Sequence, residues 1–221
     1  MLDQLTIGNT DSYDDFEASV KERVIHAPKK KSIKETVPFS NKTYDFSAIN
    51  GEIYWEERKL EYVFEIMADS PEELEEKKQG FVEWIMNTAQ AELHDPFILD
   101  YHFIATFDDI EIDDSEIEKS TITVIFTAYP YMIANNKSVF QYSISEDATT
   151  INIANQSSHR ITPTFVSEVP FTLRQGNASY AIQAGETTDD SLMFAPGFNS
   201  VTVQSTNGSG VLKIEFYNEV F

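Results

Sequence analysis

The 221-residue sequence contains no cysteine, which removes disulfide frameworks, thiolate nucleophiles, cysteine-based zinc sites and iron–sulfur clusters together. It is also short of bases: 16 Lys plus Arg stand against 37 Asp plus Glu, for a formal net charge of −21. Duplex DNA is a dense polyanion, so a chain this acidic with no basic block is poorly suited to bind it, and no specific nucleic-acid partner is expected. Long apolar runs are missing as well. Those at 97–99 and 123–126 fall far short of the ~20 residues a membrane-spanning helix needs, so no membrane insertion is expected. The first sixteen residues carry acids where a secretory signal would carry a basic start and an apolar core. No secretory address is read there, and the sequons at Asn41, Asn136, Asn155, Asn177 and Asn207 are by-products of polar loops. What the chain does have is 41% hydrophobic and 13% aromatic residues, enough to fill real cores and to argue against disorder.

The charge is unevenly placed. Residues 1–135 hold 29 acids and 12 bases, or −17, whereas residues 136–221 hold 8 and 4, or −4. The composition shifts at the same place, toward Ser, Thr, Asn, Gln and Gly, and two domains are expected, 1–135 and 136–221. The first contains the one convincing helix, about 70–90. Ser70 is its N-cap, Pro71 its first helical residue and Glu73 completes a capping box. Leu74, Phe81, Val82, Ile85 and Ala89 form its apolar stripe, and Gly80 is a weak point inside it. Before it, residues 59–67 alternate Leu60, Tyr62, Phe64 and Ile66 against Lys59, Glu61, Val63 and Glu65, the period of a half-buried strand. After it, 120–129 set Ile122, Val124 and Phe126 against Thr121, Thr123, Ile125 and Thr127. Weaker strand patterns cover 31–37 and 97–107.

Beyond residue 135 the strands are short, at 139–144, 150–153, 162–166, 171–173, 180–182, 200–204 and 210–217. The last two bracket the turn-rich stretch 205–209, which predicts a hairpin. Repeated short strands without a helical period predict a β-sandwich or jelly roll. The fold class is thus mainly β plus one helix: a β-sheet or barrel-like first domain with one packed α-helix, then a β-sandwich.

Signatures of catalysis are absent: the sequence has no phosphate-binding or dinucleotide-binding glycine loop, no HExxH and no GxSxG. His26, His94, His102 and His159 are scattered, with no pair spaced four apart on the helix, and read as surface or structural histidines. The acidic run 108–114 offers oxygen ligands and calcium is conceivable there, but it lacks EF-hand spacing and the turn glycine, and a solvated strand end and loop is the expectation. Paired carboxylates for glycoside hydrolysis cannot be located among 37 acids. Lys29, Lys30, Lys31 and Lys34 form the one basic cluster, either a contact for an acidic partner, another copy of this chain included, or a solvated strand entry that resists edge pairing. The aromatics Tyr142, Phe165, Phe171, Tyr180, Phe194, Phe198, Phe216 and Tyr217 supply either core or sugar-stacking surface, so carbohydrate stays open as a ligand. No residue is assigned a catalytic, cofactor-binding or metal-binding role, no cofactor is expected, and the chain is not expected to be an enzyme.

Read in order, Ser12-Tyr13-Asp14-Asp15-Phe16, Pro28-Lys29-Lys30-Lys31 leading to Val37-Pro38, and Tyr44-Asp45-Phe46-Ser47 resemble the opening of the distal tail protein family of long-tailed, non-contractile phages and related prophages. Asn50-Gly51, Tyr54 and Arg58 before the 60–66 strand, and Ala128-Tyr129-Pro130-Tyr131 after the next, continue it. The resemblance covers 1–135 well and the remainder only in general character. It departs at Lys42, where many members place a glycine-rich turn. It implies an N-terminal domain that assembles as a hexameric ring continuing the tail tube, and a C-terminal galectin-like or carbohydrate-module-like β-sandwich facing outward. It also implies partners in the tail tube protein, the tail-tip or tail-fibre proteins and the receptor-binding proteins. The implied place is the virion tail tip, after assembly in the bacterial cytoplasm. An acidic ring wall would let exiting DNA slide freely. The competing reading is a carbohydrate-binding β-sandwich that acts alone.

Overall fold

The computed structural model describes residues 4–48 and 51–221, so Met1–Asp3 and the Asn50 of the family pattern lie outside the described residues. The chain divides into two compact units, Met1–Met132 with Phe221, and Ile133–Val220. Both are built from antiparallel strands, and the single α-helix of the described residues belongs to the first.

In the first unit the strands are β1 (Thr6–Ile7), β2 (Thr10–Asp11), β3 (Ser19–Ile25), β4 (Lys34–Thr36), β5 (Thr43–Asp45), β6 (Arg58–Met67), β7 (Ala91–His94), β8 (Tyr101–Asp113) and β9 (Lys119–Ala128), with α1 (Pro71–Asn87) between β6 and β7. Seven of them form one sheet in the order β2-β1-β7-β8-β9-β6-β3, while β4 and β5 pair apart as a small hairpin. The central pair is in register with the sequence periods: Leu60 faces Phe126, Tyr62 faces Val124 and Phe64 faces Ile122. All six are buried, because one-residue alternation along β6 and β9 turns them to the same face. The helix lies over that face. Phe81 meets Phe64 at 4.9 Å between ring centroids, and Trp84 stacks on Phe16 at 4.9 Å.

The helix starts where its caps dictate: Ser70 Oγ accepts from the Glu73 N–H, and Glu73 in turn accepts from the Asp69 N–H. It stops sooner than its apolar pattern suggests. Thr88 takes an extended conformation with ψ 117°, its hydroxyl donating to the Trp84 carbonyl, so Ala89 lies past the end and is exposed. The buried stripe is Leu74, Lys78, Phe81 and Ile85, with Val82 at its margin. Lys78 was not expected there. Its methylenes cover the core while its ammonium reaches Glu75 at 2.6 Å and Asp114 at 2.7 Å.

A short strand β10 (Met132–Ala134) begins on the last residue of the first stretch, and the second unit contains β11 (Ser138–Ile144), β12 (Thr149–Asn155), β13 (Thr164–Ser167), β14 (Phe171–Gln175), β15 (Ala178–Ile182), β16 (Gly185–Thr188), β17 (Gly197–Ser205), β18 (Gly210–Phe216) and the short β19 (Glu219–Val220). Sheets β11-β18-β13-β16 and β12-β17-β14-β15 enclose one core in a β-sandwich, with Phe165, Phe171, Phe194, Val203, Leu212 and Ile214 inside. The predicted hairpin at 205–209 is not one. β17 and β18 belong to different sheets, and the turn carries the chain across the core. Both strands bury alternate residues toward the same interior, so alternation alone cannot separate two strands side by side from two strands face to face.

Two more expectations are corrected in the first unit. Residues 97–100 are turn, and β8 begins at Tyr101 and runs on to Asp113, through most of the acidic run. Between 31 and 37, only Lys34–Thr36 is strand.

Candidate functional site

The acidic run is strand up to Asp113 because it alternates. Ile110 and Ile112 pair with Val124 and Ile122, whereas Asp109, Glu111 and Asp113 pair with Ile125, Thr123 and Thr121 on the outer side. These carboxylates are exposed and strung along a strand instead of converging on one point. Asp114, at the strand end, is instead engaged by Lys78 at 2.7 Å and the Ser120 hydroxyl at 2.7 Å, which hold its carboxyl below the usual carboxylate range.

The basic cluster Lys29–Lys31 is exposed, and its backbone pairs with the segment 54–56: Lys31 N–H donates to the Tyr54 carbonyl, and Glu56 N–H to that of Lys29. Lys34 opens β4. The β4–β5 hairpin that follows is exposed along its length and displays apolar side chains: Ile33, Val37, Phe39, Tyr44 and Phe46 are all solvent-facing. Phe39, at the turn, is fully exposed and sits at φ 64°, a left-handed conformation that few residues other than glycine adopt. Lys42 lies in the same turn, its N–H donating to Ser40 Oγ. Exposed apolar side chains gathered on one projecting element are the usual mark of a contact surface.

In the second unit a concavity of about 490 Å³ opens among Lys137, His159, Arg160, Thr164, Tyr217 and Glu219. Two ion pairs form within it. Lys137 reaches Glu215 at 3.3 Å and lies 5.7 Å above the Tyr217 ring, and His159 stands 3.3 Å from Glu219. The aromatics considered for sugar stacking separate clearly: Phe165, Phe171, Phe194 and Phe216 are core, while Tyr142 and Tyr180 spend their hydroxyls on the Asn152 and Ser191 carbonyls. Phe198 and Tyr217 remain exposed.

His26 is exposed just past β3, and His159 belongs to the concavity. The other two histidines come together. β7 and β8 are antiparallel with Glu92 facing Ile104 and Leu93 facing Phe103, so continuing the register sets His94 opposite His102. Leu93 and Phe103 point into the core, which puts Glu92, His94 and His102 on the opposite face. There His94 Nε2 is 3.2 Å from one Glu92 carboxylate oxygen, His102 Nε2 is 3.9 Å from the other, and the two imidazoles lie 5.1 Å apart. A helix-spacing search cannot find this trio. The signal that could have found it is Glu-x-His at period two, followed across an Asp-Pro turn by a second histidine.

No protein-family model and no curated protein matches the sequence. Among solved structures, the SPP1 Dit (gp 19.1) protein, described as a paradigm of the hub adsorption apparatus in phages that infect Gram-positive bacteria, matches with a TM-score of 0.69 at 12% identity. The match covers 96% of this chain and 98% of that one. The chain has the fold of that phage hub protein. Two structures of the phage P2 baseplate in its activated conformation, one with Ca and one with Sr, match at 10% identity and a TM-score of 0.44, covering 97% and 96% of this chain. The resemblance read from residues 1–135 therefore extends, at the level of the Dit fold, to the β-sandwich as well.

Proposed function

We propose that the chain is a structural tail hub protein of a phage or prophage. The single observation that supports this best is the end-to-end correspondence of fold with the SPP1 Dit protein, since two β-rich units in this order, matched over nearly all of both chains, constrain far more than one shared domain would. In this reading residues 1–135 form the assembling domain, closing head to tail into a hexameric ring that joins the tail tube to the tail tip, and residues 136–221 project toward tail-tip and receptor-binding partners. A ring requires a heterologous interface in which one patch meets a different patch on the next copy. The exposed β4–β5 hairpin, with Phe39 at its turn, supplies one half of such a contact. The role is architectural and non-enzymatic, at the virion tail tip.

Solution mass by light scattering, across a protein-concentration series at moderate and high salt, tests it. A net charge of −21 per chain opposes assembly, so screening favours it. A mass near six protomers, reduced to one by Phe39→Ser with Tyr44→Ser, is the expected outcome. A monomer under every condition that also binds sugars through residues 136–221 would replace the reading with that of a stand-alone carbohydrate-binding module.

A further inference from the structure

We propose that Glu92, His94 and His102 form a binding site for a borderline divalent transition metal ion, zinc being the natural probe. The three side chains come from two neighbouring strands and share the face of the sheet opposite the core, so the backbone ladder itself sets their spacing. One ligand atom from each lies within 4.8 Å of the others, and Glu92 Oε2 stands 3.2 Å from His94 Nε2. Zinc with ligands at about 2.0–2.1 Å in tetrahedral array sets its ligand atoms about 3.3 Å apart. The 3.2 Å pair already meets that value; His102 Nε2 stands 3.9 Å from the other Glu92 oxygen, and the remaining separations, all within 4.8 Å, close by side-chain rotation at the exposed Glu92 and half-exposed His94.

Two imidazole nitrogens and one carboxylate suit zinc, nickel or copper and disfavour calcium and magnesium, which take oxygen ligands in larger number. The site is buried on one side by His102 and open on the other, where Glu92 is exposed, so an ion can enter and keep one position for water. A bound ion would tie β7 to β8 at the end of their ladder, next to the short β1, which pairs Thr6 with His94. The site is independent of the assembly reading and stands or falls without it.

The test is calorimetric titration of the full-length, chelator-stripped protein with zinc chloride in excess calcium and magnesium, so that the chain's general attraction for cations is saturated. Cobalt is run in parallel for its ligand-field spectrum. One equivalent of zinc should bind, with a cobalt spectrum of nitrogen and oxygen ligation. His94→Ala and Glu92→Gln should each weaken binding at least about tenfold, while Asp109→Asn in the exposed acidic strand should leave it unchanged. Both altered positions are solvent-accessible, and circular dichroism verifies that each variant is folded. No zinc uptake in excess calcium, or uptake that His94→Ala leaves intact, would reduce the trio to a hydrogen-bonded pair beside a second histidine and overturn the proposal.

Discussion

Beside serines, the first unit buries the charged side chains Arg58, Lys78 and Asp95, whereas the second buries no charged residue. Asp95, with its side chain fully enclosed, takes Arg23 at 2.6 Å and the Tyr62 hydroxyl at 3.0 Å, and its other oxygen accepts from the Phe97 N–H. Burial, and then the adjacent Asp95 carboxylate, push the Tyr62 phenol far above its ordinary range. In the second unit the same work falls to asparagines. Asn155 donates to the His159 and Phe194 carbonyls and accepts from the Ser157 N–H, Asn199 brackets Ala195 through both its N–H and its carbonyl, and Asn218 joins Ser138 to Gln156. The difference follows composition, −17 on one side and −4 with abundant amides on the other. It teaches that an acidic chain need not leave all its acids in water, since a carboxylate can be the hub of a core provided a cation and neutral donors surround it.

The largest test of that contrast is removal of each hub. Asp95→Ala strands Arg23 and the Tyr62 hydroxyl and should cost the first unit about 3 kcal/mol, whereas Asn155→Ala should cost the second about 2 kcal/mol through unsatisfied backbone carbonyls. Differential scanning calorimetry of the full chain should show each variant shifting a different part of the unfolding profile. If Asp95→Ala behaved like a surface substitution, the ionic hub would carry no weight and the contrast would fail.

Acid should separate the units next. In the first, Asp114 is held down by Lys78, Glu73 by Lys77, and Asp45 by the Ser47 hydroxyl and N–H. Carboxyls lowered in the folded state add stability that is fully present above the unfolded carboxylate value, about 3.9–4.3, and is lost as pH falls through their folded values. The second unit shows one comparable group, Asp189, lowered by Ser191. Following the Trp55 and Trp84 fluorescence against far-UV circular dichroism between neutral pH and pH 2 reads this directly, because both tryptophans lie in the first unit. Fluorescence should change first below pH 4. A far-UV loss that precedes it would invert the ordering.

Much of the first unit was legible in the sequence because its signals are local. Ser70, Pro71 and Glu73 fix a helix start within four residues, and Leu60 to Ile66 and Ile122 to Phe126 alternate without a break. What escaped depends on the partner strand. The strand expected over 97–107 stops short of the end of β8 because acids at 109, 111 and 113 suggest a loop, although the isoleucines between them carry a strand's period. The 205–209 turn predicts a hairpin and forms a crossing between sheets, because a face-to-face crossing and a hairpin look alike along one chain. The Glu92, His94 and His102 trio escaped for the same reason, since its geometry resides in the pairing of β7 with β8 and not in any spacing within one element.

The smallest effect concerns a residue that reads as a flaw and is one. Gly80 lies inside α1 with an ordinary helical backbone, where glycine costs about 0.8–1 kcal/mol relative to alanine. A glycine can be required in a helix when another group presses against its Cα. Here a Cβ would meet only the Phe16 ring, at 3.7 and 3.8 Å, which is ordinary contact and adds apolar packing beside the Phe16–Trp84 stack. Gly80→Ala should therefore stabilise the first unit by about 0.5–1 kcal/mol and leave the second unit's unfolding where it was. A loss of stability would show that the helix needs closer access to Phe16 than the folded chain displays, and would turn Gly80 from a weak point into a packing requirement.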